Sequence, residues 1–465
     1  MLTIKTIIHH YDTMKQISTY PIKIKDHNRI FAASVTLYRM AVGFYIDVIL
    51  ENWDAFSDLS TKASHGLAES LTIVTKNRPT VKYDFSKNFY KFPVYLRRAA
   101  ISEAFGRVSS YKSNLKNWES SDQRTRGDKP SVPKAGYAYP VLYKGNMYTG
   151  DIFSDYKVKI KVFRNNTWDW LTVDLRKSDV DYIRHHCKNM GINCPTLQKR
   201  GKQWYLDFSF QEEVKLNETD VKNQIILAVD LGINNTCACS VMRSDGAVLG
   251  RKFLKLPKEY DSLKRKIDHI KRAQRHGSRL VHNLWACVNG VNDDIAVKTA
   301  NFIVNTAVLY NTDVIVMEHL DLQGKKHGSK KQRLAMWRAK YVQNMVTHKA
   351  HRNGIHISTI CAWGTSRLAY DGSGRVLRGK ESTKTSNNYS LCEFTSGKVY
   401  NCDLNATYNI GARYFIRELT KTLSVTEGQR IRAKVPGYAR RSTCTLATLI
   451  SLYGELYPAG YQSAV

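Results

Sequence analysis

The sequence has no uninterrupted run of 18 apolar residues, so no stretch reads directly as a membrane span. No secretory leader is expected either, since Met1-Leu2-Thr3-Ile4-Lys5 passes straight into polar sequence. The nine cysteines follow no pairing regularity, which suits reduced thiols and sets the expectation of a cytoplasmic, nucleoid-associated prokaryotic protein. The marked shortage is of acidic residues. Only 40 Asp and Glu stand against 71 Lys and Arg, a formal charge of +31. Such an excess points to a polyanionic partner, with nucleic acid favoured over a basic membrane-surface role. The 465 residues, 43% of them apolar, are enough for two or more domains with a sizeable core.

The most informative stretch is 224–255, QIILAVDLGINNTCACSVMRSDGAVLGRKFLK. An apolar run, 225–229, ends in Asp230 and Gly232. A second run, 236–242, is joined to a third, 247–254, through Ser244-Asp245-Gly246, and Asp-Gly between apolar runs signals a hairpin. Three antiparallel strands with a carboxylate at the end of the first are therefore expected. That is how an RNase H-like nuclease begins, although an aspartate at a strand end is more often a turn or cap residue. The case rests on carboxylates further along.

Before this stretch, residues 17–24 read as a strand with Pro21 at an edge or bulge. Helical spacing follows in Leu37, Met40, Ala41, Phe44 and Val48. Further helices are expected over 60–75 and 92–118, the latter with Arg97, Arg98, Arg107, Lys112 and Lys116 off its apolar stripe. A polar linker, 120–136, leads to strands at 137–143, 157–164, 167–174 and 203–210. Trp168, Trp170, Trp204 and Tyr205 mark this β-rich module, as core or as base-stacking platforms. His185, His186, Cys187 and Cys194 match no zinc spacing.

After the hairpin, 258–284 is a strongly basic helix suited to a nucleic-acid groove. A helix at 295–309 and a buried-type strand at 313–320, carrying Glu318, come next. A basic loop at 323–333, a helix at 334–353 and a strand at 354–361 complete an alternation of strand and helix. Asp403 opens a last helix reaching about residue 418, where taken alone it reads as an N-cap. In an RNase H-like order that helix faces the end of the first strand. Asp230, Glu318 and Asp403 would then offer oxygen ligands only, which suits two Mg²⁺ or Mn²⁺ ions. Such a pair supports in-line phosphodiester displacement.

These motifs carry a resemblance. VDLGINN (229–235), VIVMEHL (314–320) and CDLNATYNIGAR (402–413) resemble the three RuvC-like motifs of the TnpB family, the transposon-encoded RNA-guided nucleases, and of the related compact type V CRISPR effectors. Residues 95–118 are similar to the family's recognition-lobe helices, and 338–354 with Gly364-Thr365-Ser366 to its approach to a zinc ribbon. The resemblance is specific over about 224–417 and looser before it. It implies an α/β RNase H-like (RuvC-like) nuclease domain plus an N-terminal lobe, a helical recognition domain inserted in a β-barrel wedge domain. The implied boundaries are 1–25 and 131–222 for the wedge, 26–130 for recognition, and 223–360 with 403–424 for the nuclease. Residues 361–402 would be a target-loading insert and 425–465 a basic tail. The implied activity is RNA-guided cleavage of double-stranded DNA beside a short motif, with Asp230, Glu318 and Asp403 as the metal ligands. The expected partners are a guide RNA and the target DNA, with a monomeric chain and no membrane.

One departure stands out. The family usually carries two Cys-x-x-Cys pairs before the third aspartate, and here only Cys392 and Cys402 fall in that interval, with Cys361 just upstream. Residues 369–374 and 395–398 occupy the knuckle positions, so zinc is not expected and the insert reads as a metal-free element. Two rival readings are a guided DNA-binding repressor and an unguided resolvase or transposase. The intact carboxylate trio argues against the first and the long N-terminal half against the second.

Overall fold

A computed structural model describes residues 13–25, 27–123, 126–232, 236–320, 336–385, 388–421, 423–435, 437–438 and 440–458. The fold divides into two compact units, Ile17–Glu212 and a second made of the chain from Glu213 onward together with the residues up to Gln16.

The first unit begins at Ile17, within the strand Thr13–Lys23, runs through the helices Asn28–Glu51, Thr61–Thr72 and Val94–Ser120, and then returns to strands. Asn28–Glu51 is, among the described residues, the one helix long and apolar enough to cross a membrane. Its Phe31, Tyr38, Val42, Tyr45 and Ile49 are instead fully packed in a core shared with Leu96, Ala100 and Ala104. Lys157–Arg164 pairs with Thr167–Asp174 and with Tyr148–Thr149 in a three-stranded sheet. Gln203–Lys215 organises a four-stranded one. A bridge between Ile24 and Leu175 joins the two at a corner. Trp204 is buried with its ring edge-on to Phe31, so it serves the core.

Two local expectations change here. The strand expected at 137–143 is reduced to an isolated bridge from Val141 to Thr196 and a hydrogen bond from the Leu142 amide to the Pro195 carbonyl. Lys177–His186, not anticipated, is a helix whose Val180 and Ile183 lie three apart and buried. Its last turn holds His185 and His186, whose spacing matches no zinc pattern.

In the second unit a five-stranded sheet runs in the order Val248–Leu254, Cys237–Arg243, Ile225–Asp230, Val314–His319, His356–Cys361. The first three strands are antiparallel; the last two run parallel to the central one. The Ser244-Asp245-Gly246 turn places Gly246 at φ +91°, a left-handed conformation that glycine adopts without steric cost.

Alternation along the strands gives the sheet two apolar faces. Leu227, Val229, Ile315 and Met317 face the helices His282–Leu309 and Ala339–Arg352. Ile226, Ala228, Val314 and Val316 face the helix Cys402–Thr420. That helix lies close: a Cβ at Gly411 would sit 2.4 Å from Met242 Sδ and 3.3 Å from Ala228 Cβ.

The basic helix expected over 258–284 ends at Arg275, and Gly277 at φ +82° turns the chain into the next helix at His282. The basic loop expected at 323–333 lies outside the described residues. The expected tail, 425–465, needs correction. It contains the helices Val425–Lys434 and Leu446–Leu456, and Leu446, Leu449 and Leu452 pack into the core beside Cys402–Thr420. An apolar stripe at helical spacing docks there because the outer side of that helix would otherwise be left bare.

Candidate active site

Asp230 ends the central strand and Glu318 lies near the end of its parallel neighbour. The register pairs Val229 with Met317, so the next residues along, Asp230 and Glu318, stand side by side. Both continue the face of Ile226, Ala228, Val314 and Val316, the face covered by the helix that starts at Cys402. Asp403 sits in the first turn of that helix, and the N-cap role expected of it belongs to Asn401. The Asn401 side chain accepts the amides of Asp403 and Leu404, each at 3.0 Å. All three carboxylates line one open cavity of about 520 Å³, together with Gly232, Trp337, Thr365, Arg378 and Tyr389.

Burial pushes the Asp230 carboxyl well above the ordinary range, and the negative charges of Glu318 and Asp403 push it further; Arg378 opposes them. Burial also raises Glu318, against a hydrogen bond from Thr365 and the charge of Arg413. Acids so placed resist ionising together unless a cation joins them. The donors are hard oxygens, which matches Mg²⁺ or Mn²⁺. Among the described residues no three His, Cys, Asp or Glu side chains are grouped closely enough to grip one ion. An ion here would take one or two carboxylates and complete its shell with water or phosphate oxygens, the usual habit of Mg²⁺.

On the same unit the helix Pro257–Arg275 buries Leu263 and Ile270 and exposes Lys264, Arg265, Lys271, Arg272 and Arg275. Arg265, Lys266, His269, Arg272 and His276 line an open hollow along it. A cationic groove of this kind fits a phosphate backbone.

Sequence reasoning missed Thr365, Arg378 and Tyr389 as cavity residues. Arg378 is fixed by a hydrogen bond from its guanidinium to the Ser366 carbonyl. No spacing rule announces it, since it comes from the insert and not from the five-stranded sheet.

Comparison with known proteins covers both units. Residues 209–326 match the OrfB_IS605 family model, described as a probable transposase, and residues 18–164 match that of the Aq_aa04 family. The TnpB-like protein aq_aa05 of Aquifex aeolicus (strain VF5) is 28% identical over 239 residues, covering 46% of this chain and 74% of that protein. The uncharacterized protein aq_aa04 of the same organism is 32% identical over 121 residues, covering 23% of this chain and 68% of that protein. Over residues 209–326 the chain carries a domain of the TnpB (OrfB_IS605) type. A cryo-EM structure of a Cas12f1-sgRNA-target DNA complex superposes with a TM-score of 0.51 at 14% identity, covering 82% of this chain and 80% of that one. At that identity the likeness is one of fold, a mixed α/β architecture shared with type V effectors.

In this chain the insert is a small sheet of Leu377–Arg378, Leu391–Glu393 and Val399–Asn401. Cys392 and Cys402 are buried there in a cluster with Ala369, Val376 and Phe394. Cys361 is exposed at the end of the edge strand. The interior of the insert is thus apolar and aromatic.

Proposed function

We propose that this chain is an RNA-guided DNA endonuclease, in which Asp230, Glu318 and Asp403 hold a pair of Mg²⁺ or Mn²⁺ ions. One observation carries the reading: three carboxylates from two strands and a helix line a single cavity, with Asp230 raised by burial and by its two acidic neighbours. The TnpB-type domain over residues 209–326 and a Cas12-like fold support the guided reading. The bound ions would supply an activated water and charge neutralisation at the leaving 3′ oxygen. Asp230 and Glu318 fix two ligand positions on rigid strands, and Asp403 supplies the third from the helix that covers them. Arg378 offers a guanidinium at the cavity wall, placed to meet a phosphate oxygen. The basic face of Pro257–Arg275 would track the backbone of bound nucleic acid. Residues 17–212 would serve as the guide-holding lobe, with its helices for recognition and its strands as the wedge-type barrel.

The test starts from protein purified out of cells that also express the flanking DNA. The expected result is co-purifying RNA that resists DNase and yields to RNase. The loaded protein should cut a matched plasmid only with Mg²⁺, and Asp230→Ala should not cut. RNA-free protein would overturn the guided reading. Tight, matched binding without cleavage by the wild type would make it a repressor instead.

A further inference from the structure

The segment between the edge strand and the insert has little ladder pairing of its own, yet its backbone polar groups are taken up one after another. The partners are three side chains on one face of the helix Cys402–Thr420. Arg413 donates to the carbonyls of Cys361 (3.0 Å) and Trp363 (2.7 Å) through Nη1. Asn409 Nδ2 donates to the carbonyls of Thr365 (2.9 Å) and Leu368 (2.8 Å). Asn405 Nδ2 donates to the Leu368 carbonyl at 2.8 Å, and its Oδ1 accepts the Tyr370 amide at 2.8 Å. Positions 405, 409 and 413 are spaced by four, so they form one stripe. Asn405 and Asn409 are fully buried and Arg413 nearly so. Polar side chains are kept inside a helix–sheet interface only when such bonds offset their desolvation.

The ladder delivers one group to the cavity. Thr365 Oγ1 lies 2.5 Å from Glu318 Oε1, with its backbone carbonyl held by Asn409. The other end of Glu318 is fixed as well: its main-chain carbonyl accepts from Gln343 Nε2 at 2.7 Å. Thr365 is itself buried, and its hydroxyl has two acceptors within reach, Glu318 Oε1 at 2.5 Å and the Ala362 carbonyl at 3.0 Å, of which the carboxylate is the nearer.

We propose that Thr365 is a positioning residue that holds the Glu318 carboxylate for a divalent cation, and that its own place is set by the helix that carries Asp403. This rests on the nuclease reading above. The carboxylates of two strands and one helix are thereby referred to a common frame. One Glu318 oxygen accepts the threonine proton, which turns the other toward the cavity. Without the hydroxyl, Glu318 is free to rotate away from its acidic neighbours, and cation affinity falls while the fold stands.

The experiment compares Thr365→Val with Thr365→Ser in the RNA-loaded full chain. Free Mn²⁺ is followed by electron paramagnetic resonance, with Asp230→Ala as the blank for ions held elsewhere. Thr365→Val should weaken the Mn²⁺ binding seen above that blank by about 10-fold, the scale typical of partners that orient metal ligands. Half-maximal cleavage should need correspondingly more Mg²⁺, and Thr365→Ser should restore both. If the valine variant unfolds, Thr365→Ala replaces it, since it lacks the hydroxyl and crowds nothing. Wild-type Mn²⁺ binding in Thr365→Val, or failure of the serine to rescue, overturns the proposal and leaves the nuclease reading standing. Wild-type protein that binds no more Mn²⁺ than the Asp230→Ala blank overturns the nuclease reading and this inference with it.

Discussion

The helix Cys402–Thr420 borders two regions held together by opposite means. On one side is the cavity, where Asp230, Glu318 and Asp403 converge and the charges of the latter two drive the Asp230 carboxyl upward. On the other is the insert, where hydrogen bonds and ring contacts link one turn to the next. Its turn at 369–374 closes by the Ala369 amide donating to Gly374 at 2.9 Å, and that at 394–398 by Phe394 donating to Lys398 at 2.8 Å. Thr395 Oγ1 ties the two turns by donating to the Ser373 carbonyl at 2.5 Å. Behind them Tyr370 stands edge-on to both Phe394 and Tyr400, and the Lys398 ammonium lies 5.1 Å and 5.5 Å from the Tyr370 and Tyr400 ring centres. Cation–π and edge-to-face contacts of this kind are individually small but add up in a compact site. The insert is held by packing and by bonds within the protein; the cavity sets like charges against each other, and opposed charges of that kind call for an ion.

The sharpest way to break this contrast is to remove a charge from the cavity. Asp403→Ala should lower plasmid cleavage by at least about 10³-fold, since several kcal/mol of charge stabilisation vanish at the reacting phosphate. Its thermal unfolding should stay at or above wild type, because an acid that repels Asp230 has gone. A large fall in melting temperature would show that the cavity, like the insert, is held by packing.

The matching change in the insert is Phe394→Ala. Phe394 is fully buried among Ala369, Val376, Cys392 and Cys402. Emptying its place should cost about 3–5 kcal/mol of local stability, read as faster hydrogen exchange over 369–401. Added Mg²⁺ should not repair it. Repair by Mg²⁺ would mean that the two regions share one source of stability.

How much of this was legible in the sequence follows the same division. Asp230 and Glu318 end apolar runs, and a period of two is enough to send both toward one face. Asp403 could be found from its helix, although its cap role belonged to Asn401. The ladder of Asn405, Asn409 and Arg413 was not read, because bonds from side chains to scattered carbonyls follow no fixed spacing along the accepting segment. A signal was present nonetheless: three polar groups spaced by four on a helix whose other residues there are mostly apolar. The strand expected at 137–143 failed because alternation alone does not supply a paired neighbour. The 446–456 stripe was visible, but not the surface it would cover.

A smaller effect separates the regions by pH. The folded Asp230 carboxyl stands above its unfolded value of about 3.9, so folded protein keeps a proton that the unfolded chain has lost. Stability of the metal-free protein should therefore fall as the pH rises from that unfolded value to the raised folded one, and level off above it. Glu318, also raised, adds to the same slope. Asp230→Asn should flatten it in denaturant melts across the range. Mg²⁺ should oppose it, since the ion favours the ionised carboxylates and adds stability by mass action. A slope unchanged in Asp230→Asn would place the titrating groups outside the cavity.

The smallest expected effect is the most discriminating for the insert. Cys392 and Cys402 are buried side chains in an apolar cluster, where a thiol behaves as a small hydrophobe. Cys392→Ala should then cost only on the order of 1 kcal/mol, the loss of one buried sulfur. A zinc-selective chelator should leave hydrogen exchange over 369–401 unchanged, while a chelator that strips Mg²⁺ should lower stability around the cavity alone. Were the zinc chelator to loosen the insert, a thiolate-bound ion would be holding it. The aromatic cluster would then be packing around a metal centre, and the helix Cys402–Thr420 would border two ion-dependent regions, one built on oxygen and one on sulfur.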